Sequence, residues 1–199
     1  MFTVDDFLAV DYIWAQALPV RQRAMRGLAA IVDESFGLEA ASLAEKLRSH
    51  GAIRTLVRLL DDESSGVHHR ALMVLGNLVG EFFDDEANQS LALLCDAGGL
   101  EKVLDHLERP FPSNLYAAAC VQNMTAIDDA CCTTLREAGC VPMLQALLPD
   151  DSRPLCQPNG AALASVGHRH RRPRRTHGRA VPHQRAATLI LVQGRSVHS

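Results

Sequence analysis

The sequence predicts an all-α chain: a solenoid of stacked helical units, followed by a basic, poorly structured tail. Three observations carry that prediction. Leu and Ala dominate, while aromatic residues make up only 5% of the 199 residues; that balance favours helices, because strands draw on β-branched and aromatic side chains. Apolar residues recur at helical spacing, without the alternation of a half-buried strand. One pattern also returns every 41–47 residues, a period of α-solenoids, in which each unit buries its faces against its neighbours.

The first unit, about residues 4–39, is visible through its last helix. Val20-RQRAMRGLAAIV aligns without a gap on Val67-HHRALMVLGNLV, 47 residues later, so that Arg23 matches Arg70, Leu28 matches Leu75 and Ala30 takes the place of Asn77. No first helix is expected in this unit. The second unit, about 40–85, contains SLAEKLRSHG, then GAIRTLVRLL from Gly51, then the long segment through Asn77. Ile53, Leu56, Val57 and Leu60 form one apolar face. Ala71, Leu72, Leu75, Leu78 and Val79 form a wider stripe, as a helix packed on two sides requires. Ser64–Ser65–Gly66 marks the turn between them. The third unit, about 86–127, repeats the order with SLALLCDAGG, GGLEKVLDHL from Gly98, a turn with Pro110 and Pro112, and NLYAAACVQNMTA. The fourth, about 128–167, begins with CCTTLREAGC and GCVPMLQALL from Gly139 and ends with LCQPNGAALASVG. Gly51 precedes Asn77 by 26 residues, Gly98 precedes Asn123 by 25 and Gly139 precedes Ser165 by 26. Gly51, Gly98 and Gly139 are expected in the left-handed conformation that turns one helix into the next. The connectors ESFGLEA and EFFDDEA read as a surface insertion.

GAIRTLVRLL followed by ALMVLGNLV resembles the armadillo repeat, whose signature runs Gly-Ala-Ile-Pro-x-Leu-Val-x-Leu-Leu and then Ala-x-x-Ala-Leu-x-Asn-Leu. Pro142 keeps the signature proline, while Arg54 and Glu101 replace it. The resemblance extends over about residues 4–167. It implies three helices per unit, stacked into a right-handed superhelix with the third helices side by side on the concave face. It also implies a non-catalytic scaffold whose partner is a protein or peptide segment lying extended in that groove. In peptide-binding armadillo proteins an Asn on each third helix holds the backbone of the bound segment. Asn77 and Asn123 match that position; Ala30 and Ser165 do not. The groove residues implied with them are Met73 and Ala119 one turn earlier, and Arg70 and Tyr116 one turn earlier still, with Arg23 and Arg26 in unit one. Arg at this position suits carboxylates of an acidic peptide. The alternative is an importin-alpha-like transport adaptor that recognises basic signals. Such adaptors carry Trp where this chain has Met73 and Ala119, and Trp14 lies elsewhere.

Charge divides the chain. Residues 1–151 hold 23 acids against 11 bases, a net of −12, and residues 152–199 hold nine Arg, no Lys and no acid, a net of +9. The acids cluster at the turns, as in Asp61-Asp62-Glu63 and Asp84-Asp85-Glu86, where they read as a solubilising edge favoured by helix dipoles. Residues 168–199 form the Arg/His-rich tail. Three readings of it stand open: an import signal or weak nucleic-acid contact through residues 168–185, a segment folding back on the acidic body, or sequence outside the native reading frame. The six cysteines show no C-x-x-C pair and no zinc spacing, and read as half-buried thiols of a reducing compartment. No phosphate loop, HExxH, nucleophile–base pair or paired carboxylate emerges, so the expectation is no enzyme, cofactor, metal or small-molecule substrate. No run reaches about 18 apolar residues, which excludes a spanning helix. The N-terminus has acids where a signal peptide has bases, so the cytoplasm is expected, with the nucleus also open.

Overall fold

A computed structural model of the chain describes residues 3–9 and 13–148. The chain divides into a compact unit, Met1–Gln145, and a second, Ala146–Ser199, of which residues 146–148 are described. The predicted tail at 168–199, Ser165 and the last segment of unit four lie outside the described residues.

Among the described residues the structure is all helical, with no strand. Ahead of the first long helix come α1 (Val4–Leu8) and a 3-10 turn (Ile13–Ala15). The sequence comparison places no first helix there. The cause of α1 is local: Thr3 and Asp6 cap each other's backbone, and Phe7 is buried. Then follow α2 (Leu18–Glu34), α3 (Leu38–Ser49), α4 (Ala52–Leu59), α5 (Ser65–Leu78), α6 (Ala87–Asp96), α7 (Gly99–Leu107), α8 (Ser113–Ile127), α9 (Asp129–Glu137) and α10 (Cys140–Leu147). The repeated segments correspond to α3, α6 and α9, then α4, α7 and α10, then α2, α5 and α8.

The turn chemistry follows the sequence. Gly51, Gly98 and Gly139 have φ of 69°, 69° and 83°, and no atom lies within 4 Å of where a side chain would begin. Glycine is needed there for its left-handed backbone, not for space. Ser64 precedes α5 and Pro112 precedes α8.

Burial follows the two apolar patterns. On α4, Ile53, Leu56, Val57 and Leu60 are buried while Arg54 and Arg58 face water. Arg58 stacks on the Trp14 ring at 4.4 Å. On α5, Val67, Ala71, Leu72, Val74, Leu75 and Leu78 are all fully enclosed, because α2 packs on one side and α8 on the other. Each such Leu contributes about 1.5–3 kcal/mol by leaving water.

Polar cross-links join successive units. Arg21 of α2 pairs with Asp62 in the turn before α5, and Gln22 Nε2 donates to Ser64 Oγ at 3.1 Å. Arg48 of α3 pairs with Asp84 before α6 and donates to Ser90 Oγ at 3.2 Å. Lys102 of α7 pairs with Asp61. The acidic turns are therefore more than a solvated edge. Asp62 and Asp84 have side chains only 4% and 2% exposed, and each also accepts a backbone N–H two residues on, from Ser64 at 2.9 Å and Glu86 at 3.1 Å. The expected solubilising role fits Glu63, Asp85 and Glu86, which are exposed.

Candidate groove on the third helices

The packing of α5 between α2 and α8 leaves it one narrow accessible stripe. Arg70, Met73 and Asn77 lie on that stripe, all half-buried, at the spacing of i, i+3 and i+7. Tyr116, Ala119 and Asn123 occupy the same positions on α8, also half-buried. On α2 the equivalent residues are Arg23, Arg26 and Ala30, all exposed. The six residues singled out in the sequence thus fall on two neighbouring third helices, in matching register, with the α2 trio beside them.

The two Asn side chains differ in their anchoring. Asn77 Nδ2 donates to the Met73 carbonyl at 2.8 Å, within its own helix. Asn123 Nδ2 donates to the Gly76 carbonyl of α5 at 2.7 Å, tying one third helix to the next. Space for that amide comes from Gly80, where a side-chain carbon would stand 3.1 Å from Asn123 Nδ2. Neither Oδ1 takes a hydrogen bond among the described residues. An Asn amide has two N–H donors and a carbonyl acceptor, so each side chain keeps hydrogen-bonding capacity after its anchor is made. Sequence reasoning placed these residues, yet it did not find the Asn123–Gly76 link, which depends on how closely α5 and α8 approach.

At the other end of the stripe, Arg70 donates to the Gly66 carbonyl one turn back. Beside it lies a histidine cluster. His68 Nδ1 donates to the Asp62 carbonyl at 2.8 Å, so in the neutral ring Nε2 is left to accept, and it faces Ser113 Oγ at 3.4 Å. His69 Nε2 lies 2.7 Å from the same hydroxyl. Ser113 can thus donate to His68 while accepting from His69. His106 of α7 packs 5.0 Å from His68, ring centre to ring centre, and its Nε2 donates to the Leu60 carbonyl at 3.0 Å. Its Nδ1 is buried without a partner among the described residues. Burial holds His106 down at about 4, against an ordinary value of 6.5, with nearby Arg109, His68 and His69 adding to the shift. Burial also lowers His69. Only the adjacent His68–His69 pair hinted at this cluster in the sequence.

Burial pushes the Cys120 thiol up to about 12 and Cys131 up to about 11. No group of metal-binding side chains is present among the described residues, and no helix among them is long and apolar enough to cross a membrane.

No family model matches the sequence, and no curated protein matches it. Among solved structures, the chain is similar to the designed armadillo repeat protein YIII(Dq)4CqI, with a TM-score of 0.57 and 26% identity. The match covers 71% of this chain and 57% of that one. The class is therefore an all-α solenoid with an armadillo-repeat neighbour.

Proposed function

We propose that this chain is a non-catalytic interaction scaffold that holds an extended partner segment across α5 and α8. The observation that carries the reading is the pair Asn77 and Asn123, at equivalent positions on adjacent helices, each with its Nδ2 anchored and its Oδ1 without a hydrogen bond among the described residues. An extended segment leaving water must have its backbone N–H and C=O groups satisfied. Two amides in register supply that without reading side chains. Met73 and Ala119 stand where a transport adaptor of the importin-alpha type has Trp, so lysine slots lack their aromatic walls and the scaffold reading is preferred. The cytoplasm or nucleus is the site of action in this reading, and imaging of a tagged chain tests it.

A peptide-array screen with the purified chain, followed by titration of the hits, tests the groove. Asn77→Ala combined with Asn123→Ala is expected to weaken binding by about 1–3 kcal/mol while the helical circular dichroism stays unchanged. Equal affinity of the variant for every hit would remove the groove.

A further inference from the structure

Resting on the reading of α5 and α8 as a groove, we propose that the partner segment is acidic, with carboxylates about three residues apart. The nine positions that α2, α5 and α8 contribute in register are Arg23, Arg26 and Ala30, Arg70, Met73 and Asn77, and Tyr116, Ala119 and Asn123. They hold three Arg and no acid, although acids outnumber bases 23 to 11 in residues 1–151. The solenoid has sorted its charge: a strongly acidic body presents a cationic groove.

Among the described residues Arg21, Lys46, Arg48 and Lys102 are each tied to a carboxylate, those of Asp62, Asp5, Asp84 and Asp61, whereas Arg54, Arg58, Arg109 and Arg136 form no ion pair. Arg23 and Arg26 are exposed and form no ion pair among the described residues; the nearest influence is a field between Arg23 and Asp6 of α1. Arg70 commits one nitrogen to the Gly66 carbonyl. A guanidinium has five donors in a rigid fork, so all three retain donors for a ligand. A basic segment would meet Arg with no carboxylate to receive it, and that repulsion selects against it.

Spacing comes from geometry. Packed helices lie about 8–10 Å apart and an extended chain advances about 3.3 Å per residue. Neighbouring third helices are therefore crossed every three residues. A carboxylate at Arg70 places the next near Arg26 or Arg23 on α2, two helical turns from the level of Asn77.

The test uses the full chain and three fluorescent twelve-residue peptides carrying Glu, Gln or Lys at every third position among Ser and Gly. Anisotropy titrations compare wild type with Arg26→Gln/Arg70→Gln, with Arg23→Gln/Arg26→Gln, whose sites are both exposed, and with Asn77→Ala/Asn123→Ala. Because the nine Arg of residues 152–199 are common to all variants, the comparison between variants isolates the groove. The Glu peptide is expected to bind tightest and to lose about fivefold or more in both Arg variants, the loss shrinking as salt is raised. It is also expected to weaken in the Asn variant. Tightest binding of the Lys peptide with loss in the Asn variant would overturn the acidic partner and keep the groove. Equal binding of the Glu peptide to wild type and both Arg variants would overturn it too. Loss in the Arg variants with none in the Asn variant would keep acidic recognition and discard the Asn clamp. Absence of binding by all three peptides would overturn both.

Discussion

Arg48 and Asp84 carry opposite charges on side chains only 9% and 2% exposed. Removing one partner strands the other in a poorly solvated place. Asp84→Ala is expected to cost about 3–5 kcal/mol, read as a lowered urea midpoint, while replacing both residues with apolar ones of similar size is expected to cost much less. Leu75 acts through volume instead. It is fully buried on a helix covered by α2 and α8, and Leu75→Ala is expected to cost about 2–5 kcal/mol in the same measurement. An unchanged midpoint would place Leu75 outside the core. The importance of Leu75 was legible in the sequence, because an apolar stripe repeats across units. The burial of Asp84 was not. An acid in an Asp-Asp-Glu run looks solvated until stacking brings an Arg from 36 residues away.

The joint between the second and third units is a matter of elements. The α4–α5 turn, α5, α7 and the start of α8 meet at His68, His69, His106 and Ser113. The folded chain keeps His106 neutral down to about pH 4, whereas an unfolded chain protonates it from about 6.5. Between those values the unfolded state binds more protons. The contribution is therefore favourable above about pH 6.5 and is lost as pH falls towards 4, amounting to about 1–3 kcal/mol. Thermal melts across that range are expected to show the loss, and His106→Leu is expected to flatten it. A melting temperature equally steep in the variant would assign the acid sensitivity to other groups. Helix order and turn sites were readable here from Gly51, Gly98, Ser64 and Pro112, since backbone conformation is set locally. The joint was not, since it assembles side chains from three helices and a turn.

On the scale of the whole molecule, the proposed groove depends on the stacking of successive units. Arg23 and Arg26 come from the first unit, Arg70 and Asn77 from the second and Asn123 from the third, so only units in register bring these side chains side by side. The 47-residue alignment made the equivalence of Arg23 and Arg70 legible, and the Gly-to-Asn spacing that of Arg70 and Tyr116. The anchoring of Asn123 to Gly76 was beyond both, because it depends on how closely α5 and α8 approach and on the room that Gly80 leaves for the amide. The most direct measurement of peptide capture is nuclear magnetic resonance of the full chain labelled with nitrogen-15 at Asn only. Titration with the Glu-bearing peptide is expected to shift the side-chain amides of Asn77 and Asn123 together and leave that of Asn88, exposed on α6, in place. A bound peptide that leaves both groove amides unmoved would contradict the assignment of α5 and α8 as the binding surface.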